Sequence, residues 1–372
     1  MTLQASGAIA INQINAEFGR GNNLNSYRGT VWYTDAGGSG TFSAGALAMN
    51  EFYSKRLSSP TFSFTISSHQ DQANLRTLAV NAGWNQSSAV VATIASGIYI
   101  YSTGGTALTI NGSFPNGVTL VNNGYIMGRG GKGTHATGSS AGDLPTAGTD
   151  AIALGVACTI QNNSYIGGGG GGGGGVILLT GSYTYGGVYP GGGGAGGGVG
   201  GNSFTFVATP NPVGVGGAGG GLGGAGANGS YGVSGTNYYY TGGGGGGRIM
   251  PGSSITQAAL LTNGTAPTNP ALGGQAGGTA QCFSSGSSSI GGGGGSSGSA
   301  TITIAANADN YQPAGGGGWG AAGGTALGGR NGTPIYPVTY TLHSGGAGGY
   351  CVRTNGYSVT WSATGTRYGG IG

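Results

Sequence analysis

Nine consecutive glycines, Gly167–Gly175, constrain this chain more than any other stretch. Glycine brings no side chain to a core and loses more backbone freedom on ordering than any other residue, roughly 1 kcal/mol relative to alanine. The run is one of a series. Glycine-rich stretches follow at Gly191–Gly201, Gly214–Gly229, Gly242–Gly247, Gly273–Gly278, Gly291–Gly295, Gly315–Gly329 and Gly345–Gly349. They are broken only by small residues or by a single larger one such as Leu222 or Trp319, and often aromatic sequence lies between them.

Flexible linkers are the commonest use of such composition. Linkers joining segments of about twelve to twenty-four residues, however, leave no segment able to fold alone. Collagen is excluded because the Gly-X-Y period is absent and the runs carry almost no proline. Long α-helices and strands are excluded on propensity. An ordered alternative remains: a bundle of polyproline-II-like helices made of glycine. Such a helix has no internal hydrogen bonds, so its N–H and C=O groups point outward. Packed side by side, these helices satisfy one another's backbones, with Cα–H···O contacts adding a little.

Composition agrees. Glycine supplies 94 of 372 residues, against a usual share of about 7%. Only 5% of residues are charged, so the high-charge signature of disorder is missing. The net charge of +4 is small and scattered, which argues against a nucleic-acid partner. Cys158, Cys282 and Cys351 are odd in number, without metal spacing, and read as buried free thiols. No signal peptide is visible, and Val176–Leu179 is far too short to span a membrane. The expectation is a protein made soluble that reaches any outside destination by assembly or lysis.

Along the chain, residues 1–57 read as a separate unit. Gly7-Ala8-Ile9-Ala10-Ile11-Asn12-Gln13-Ile14 recurs as Gly45-Ala46-Leu47-Ala48-Met49-Asn50-Glu51-Phe52, an offset of 45 − 7 = 38. Ile11, Ile14 and Phe18 have helical spacing, with Ser6 as an N-cap and Gly19 as a stop; Ser43 takes the cap role in the second copy. A connecting segment holds Trp32 and Tyr33. So small a unit buries little surface alone, which leaves it readable as a plain subdomain or as a docking module. In the docking reading, Ile9, Ile11, Ile14, Phe18, Trp32, Leu47, Met49 and Phe52 carry attachment.

Residues 58–166 read as a strand-rich or α+β connector. Thr61–Ile66 alternates like a half-buried strand, Asp71–Ala82 fits a helix with Leu75, Leu78, Ala79 and Ala82 on one face, and Val90–Ile94 and Ile98–Tyr101 read as strands. A second repeat, Val118–Ile126 echoed by Cys158–Ile166 at an offset of 40, pairs a short strand with an Asn-Asn turn and a Tyr-Ile step. Stacked strand–turn units of this kind suit a solenoid onto which the glycine helices of 167–372 dock.

Catalytic chemistry is not apparent. Gly130-Gly131-Lys132-Gly133-Thr134 breaks the phosphate-loop pattern, which needs lysine directly before Ser or Thr. Beyond Gly167 the sole acidic residue is Asp309, so paired carboxylates for glycoside cleavage are lacking there. His69, His135 and His343 are far apart and lack companions for a metal or triad site. No enzyme activity, cofactor or metal is expected.

Binding has a clearer signal. If successive glycine helices run antiparallel, alternate connections emerge at one end. The first (176–190) holds Tyr183, Tyr185 and Tyr189; the third (230–241) holds Tyr231, Tyr238, Tyr239 and Tyr240. The fifth (279–290) holds Phe283, and the seventh (330–344) holds Tyr336, Tyr340 and His343. Tyr set among Ser, Gly and Asn is the vocabulary of antibody-like paratopes, although any one ring can equally pack on its own scaffold. Tyr350, Tyr357, Trp361 and Tyr368 belong to a last lattice strand or a second contact surface.

These glycine runs separated by variable, tyrosine-rich loops resemble the distal tail-fibre adhesins of T-even-like bacteriophages. The resemblance covers about Gly167 to Gly372. It implies a sandwich of polyglycine-II helices whose distal loops recognise a receptor, an outer-membrane protein or surface glycan, on Gram-negative bacteria. The family's short Trp-rich attachment domain is missing, and residues 1–57 are instead similar to a small module of assorted phage tail proteins. The expected architecture is mainly irregular and β, with a small helical N-terminal module, a strand-rich connector and a C-terminal polyglycine sandwich. The expected role is a non-enzymatic adhesin at the tail or tail-fibre tip, with a purely structural glycine-rich tail protein as the alternative. An ice-binding polyglycine protein is a third reading, disfavoured by the irregular loops.

Overall fold

The computed structural model describes residues 2–137, 140–180, 187–189, 191–196, 198, 200, 204–205, 231–234, 238–241, 280–282, 309–312, 315–330 and 338–372. Strands and irregular chain dominate them, with two α-helices. None of the described helices is long and apolar enough to cross a membrane.

The first helix, α1 (Ile11–Phe18), stops at Gly19, whose φ of 66° is the left-handed C-cap that glycine adopts freely. Its start corrects the expected Ser6 cap. Ala10 is the N-cap, and the Gln13 side chain turns back to accept the Ala10 N–H at 2.7 Å. In the second copy Glu51 accepts the Ala48 N–H at 2.8 Å over the 3₁₀ turn Met49–Phe52, so Ala48 and not Ser43 caps it. The repeat thus encodes the carboxamide or carboxylate half of a capping box. It also places Ile14 and Phe52 at one repeat position, both fully buried. Phe18, Tyr27 and Phe42 complete the core, with ring centroids 4.2 to 6.2 Å apart and mostly edge-on.

From Thr61 the chain winds into a parallel β-solenoid of three sheets. The first rung is Thr61–Ile66, Gln70–Asp71 and Ala73–Asn74; the second is Ala89–Ile94, Tyr99–Tyr101 and Leu108–Ile110. The third is Val118–Asn122, Tyr125–Met127 and Ile152–Leu154, and the fourth is Cys158–Asn162, Tyr165–Gly167 and Val352–Arg353. Val359–Ala363 and Thr366–Tyr368 form the fifth. Alternation puts every second residue inside, so Phe64, Ala92, Leu120, Ile160 and Trp361 stack in register down the core.

Helix α2 (Leu75–Asn81) is shorter than the expected Asp71–Ala82 because the two short strands before it are taken into the sheets. Asn74 caps it by accepting the Thr77 N–H at 3.1 Å. Leu75 and Ala79 are buried and Leu78 partly so, while Ala82 is exposed.

At the corner after the first sheet, Asn122 and Asn162 are buried and bonded rung to rung at 2.8 Å. Beyond them Tyr99, Tyr125 and Tyr165 stack with centroids 4.5 and 5.9 Å apart. The C-terminal segment corrects another expectation: its strands pair with the solenoid's third and fourth rungs, so they close the solenoid and not the glycine array.

Two long excursions leave the second sheet, one after Met127 and one after Gly167, and both return to the third sheet. Their glycine segments form a hydrogen-bonded array with Gly167–Gly175 at its centre. That segment repeats every three residues. Gly168's successors Gly171 and Gly174 donate to Ala321 and Gly324; Gly169 and Gly172 donate to Thr149 and Thr146; Gly170 and Gly173 donate to Ala195 and Gly192, all at 2.7 to 3.0 Å. In return, Gly128, Gly131 and Thr134 donate to Gly167, Gly170 and Gly173. Gly317 and Gly320 donate to Gly171 and Gly168, and His343, Gly346 and Gly349 donate to Gly175, Gly172 and Gly169. Six segments therefore surround the central one (three accepting from it and three donating to it), and a side chain has nowhere to go.

Candidate functional site

The array presents its connections on two antiparallel sheets. In one, Val176–Thr180 pairs with Gly187–Tyr189 and with Val338–Leu342, and Phe204–Thr205 joins at the edge. The register sets Tyr189 opposite Val176 and Tyr340 opposite Leu178. The other has five strands in the order Tyr231–Ser234, Tyr238–Thr241, Ala280–Cys282, Asp309–Gln312 and Leu327–Arg330. Tyr231 faces Thr241, Tyr239 faces Val233, Tyr240 faces Gly232, and Tyr238 lies between Ser234 and Cys282.

The first and seventh connections thus share one sheet, and the third and fifth share the other. Tyr189, Tyr231, Tyr238, Tyr239, Tyr240 and Tyr340 belong to strands where free loops were expected. Tyr183, Tyr185, Phe283 and Tyr336 lie outside the described residues, as do the glycine runs 214–229, 242–247, 273–278 and 291–295. His343 joins the glycine array, with its N–H on Gly175 at 3.0 Å. Its Nε2 is enclosed without a hydrogen-bond partner, and burial pulls its pKa below the ordinary histidine value.

Between the fifth and seventh connections the strand is Asp309–Gln312. The alternation Asp309-Asn310-Tyr311-Gln312 is short and polar, a weak strand signal.

The array sits on the solenoid through Trp319, which is 2% exposed and packs with Tyr99, Met127 and Ala195 against Tyr125, Tyr165 and Tyr368. At the returning corner the Asp150 carboxylate accepts the Tyr350 N–H at 2.8 Å and pairs with Arg353, which it holds well protonated.

In the N-terminal unit, Ile14, Phe18 and Phe52 are buried in the core. Ile9, Ile11, Trp32, Leu47 and Met49 are partly exposed over that core, with the Lys55 ammonium 4.1 Å above the Trp32 ring. The hairpin tip meets the solenoid where Ala36 C=O accepts the Ser87 hydroxyl at 2.8 Å and the Asn85 amide at 3.1 Å. Cys158 and Cys351 are free, buried in the solenoid core, and burial pushes both thiols up to about 12. Among the described residues no group of three or more His, Cys, Asp and Glu is arranged to hold a metal ion.

Residues 61–240 match the family model of the phage tail fibre adhesin Gp38. This region belongs to the Gp38 tail fibre adhesin family. The match begins at the first residue of the solenoid's first strand and runs into the third connection of the glycine array, taking in the central nine glycines. The match places the chain in a bacteriophage tail fibre. Among solved structures, it is similar to a chain in the crystal structure of the gp37-gp38 adhesin tip complex of the bacteriophage S16 long tail fiber, with 16% sequence identity, a TM-score of 0.39 and 99% of each chain covered. A comparison with curated proteins gives no match.

Proposed function

We propose that this chain is the receptor-binding protein at the tip of the tail fibre, and that it acts by binding without catalysis. The observation that carries the reading is the central glycine segment enclosed by six hydrogen-bonded neighbours, inside the region that matches the tail fibre adhesin model. We read those segments as polyglycine-II helices packed into a sandwich: the three-residue period and the outward-bonded backbone are the properties of that helix. A rigid sandwich presents the tyrosine-bearing strands and the connections between them to an outer-membrane protein or surface glycan of a Gram-negative host. In this reading residues 1–57 dock to a tail or tail-fibre protein through Ile9, Ile11, Trp32, Leu47 and Met49, residues 58–166 connect, and residues 167–372 carry recognition.

One observation favours the alternative, a structural tail protein that binds no receptor: six of the predicted contact tyrosines have their backbones in paired strands. Binding of fluorescently tagged full-length protein to a panel of Gram-negative cells and isogenic outer-membrane-protein deletions separates the two. The adhesin reading expects saturable binding that one deletion abolishes. Absence of binding to every strain, the phage's own host included, would leave the structural reading standing.

A further inference from the structure

The first sheet of the solenoid carries two outward rows that run from rung to rung. Thr61, Ala89, Gly117, Ala157 and Ser358 make one row at the start of the strands. Two residues on, Ser63, Val91, Thr119, Thr159 and Thr360 make the other. Alternation turns both outward, because Val90, Val118 and Cys158 between them are buried in the core. The first row is small in its three middle rungs and the second is β-branched from Val91 onward. The difference in height leaves a groove of about 380 Å³ along the solenoid axis. That volume falls within the ~300 to 1,000 Å³ of small-ligand sites. With rungs about 4.8 Å apart, five strands span about 19 Å.

The lining decides what can lie there. None of the residues around the groove is charged or aromatic. Thr119, Thr159 and Thr360 set hydroxyls in three successive rungs, and among the described residues none of these hydroxyls is bonded within the protein. Asn116, whose amide donates to the Ser87 carbonyl at 2.6 Å, stands beyond the small row. A polyanion needs clustered cations, which the groove lacks. An extended polypeptide advances about 3.4 Å per residue and falls out of step with rungs about 4.8 Å apart. The interior strands are already paired on both sides, so they offer no edge for strand addition. An extended chain of pyranose sugars advances by about one strand spacing per sugar, so successive sugars meet successive rungs in the same way.

We propose that this groove is a binding site for a linear, neutral polysaccharide, laid along the solenoid axis with one sugar to a rung. The site is separate from the glycine array and its connections, and it does not rest on the adhesin reading above. Each hydroxyl bond replaces one to water and contributes little alone. Affinity for one sugar is therefore low and grows with chain length until the five rungs are filled.

Electrophoresis of the full-length protein through gels containing a neutral cellulose ether, amylose or a linear mannan tests the proposal. At least one of the three should retard the protein, and alginate, an anionic polysaccharide, should not. Calorimetric titration with oligosaccharides of the retarding polymer should show affinity rising with each sugar up to the fifth. Thr119→Val, Thr159→Val and Thr360→Val together keep the β-branched shape and remove the hydroxyl row; binding should weaken at least ~10-fold. Ala157→Phe, which fills the groove from an exposed position, should abolish retardation. Thr65→Val with Thr93→Val alters paired outward hydroxyls of the same sheet outside the groove and should change binding less than ~2-fold. Unchanged melting of each variant shows that the solenoid is intact.

The inference is overturned if none of the three neutral polymers retards the protein, if alginate retards it equally, or if affinity does not depend on chain length. It is also overturned if the triple variant binds like wild type or the Thr65 and Thr93 pair weakens binding as much. Each of those outcomes leaves receptor-dependent cell binding where it stood.

Discussion

Replacing Gly171 by alanine tests the glycine array at its centre. The added methyl falls well inside van der Waals contact of the Gly346 carbonyl oxygen, with Ala347 O also close, and both are backbone atoms. No rotamer relieves the overlap, so the segment 345–349 must retreat. Three hydrogen bonds resist: Gly346 N–H to Gly172 at 2.8 Å, Gly349 N–H to Gly169 at 2.8 Å, and Gly323 N–H to Gly346 at 2.9 Å. A shift of ~1 Å takes all three beyond bonding range. At about 1 to 1.5 kcal/mol each, the loss is about 3 to 4.5 kcal/mol. Alanine restricts the unfolded chain and returns about 0.4 to 1 kcal/mol, so the net destabilisation is about 3 kcal/mol.

At 2 to 4 °C per kcal/mol, that corresponds to a fall in melting temperature of roughly 6 to 12 °C, read by differential scanning calorimetry. Gly105→Ala is the control, because its methyl meets only the flexible Gln72 side chain, at 3.2 Å; it should change stability by less than ~1 kcal/mol. Equal melting of Gly171→Ala, Gly105→Ala and wild type would refute a packed array, since linkers tolerate alanine anywhere.

Two further outcomes follow from side chains already placed. Burial holds the folded-state pKa of His343 below the ordinary value, so its neutral form is favoured on folding; that stability is present above the unfolded pKa and is lost as pH falls from there through the folded pKa. Wild type should lose melting temperature between about pH 7.5 and pH 5.5 more steeply than His343→Asn, and parallel curves would show that the enclosed imidazole does not matter. Asn162→Ala should cost about 2 to 4 kcal/mol in urea denaturation, because it removes the bond to Asn122 and those to the Thr364 and Thr366 carbonyls in a 1%-exposed corner. Its exposed neighbour's variant, Asn163→Ala, should cost less than ~0.5 kcal/mol although Asn163 also bonds across rungs, to Asn123 at 2.8 Å.

Much of the solenoid was legible because one repeat survives in it. The offset of 40 between Val118–Ile126 and Cys158–Ile166 is the distance between two adjacent rungs: Leu120 pairs with Ile160, Asn122 with Asn162 and Tyr125 with Tyr165. The other rungs were hidden because they keep the shape and change the residues. Ile94 stands where Asn122 would, and the fifth rung carries a register shift at Ala363. The third sheet was beyond local reading altogether, since nothing near Val352 indicates a partner at Ile152. The glycine array had a signal that went unused. In Gly128-Arg129-Gly130-Gly131-Lys132-Gly133 the long side chains recur every third residue, and Arg129 and Lys132 are the partly exposed positions among buried glycines. The broken phosphate loop is an outer segment of the array, with a side chain wherever the three-residue period faces out.

The two repeats of the structure are one device. Tyr125–Met127 and Tyr165–Gly167 are parallel neighbours in the second sheet, and the chain beyond them stays parallel: Gly128 bonds Gly167, Gly131 bonds Gly170 and Thr134 bonds Gly173. The returning limbs are neighbours too, with Gly148 bonded to Ala347 and Ala151 to Tyr350 before Ile152 and Val352 pair in the third sheet. Side chains set the register in the solenoid, where Asn122, Asn162 and the tyrosine stack fix each rung. Polyglycine has no side chain with which to choose a register, so it must inherit one at both ends. The solenoid supplies it on the way out at Met127 and Gly167, and the Asp150 clamp on Tyr350 and Arg353 holds it on the way back. An array fixed in this way keeps its frame whatever the residues of its distant connections.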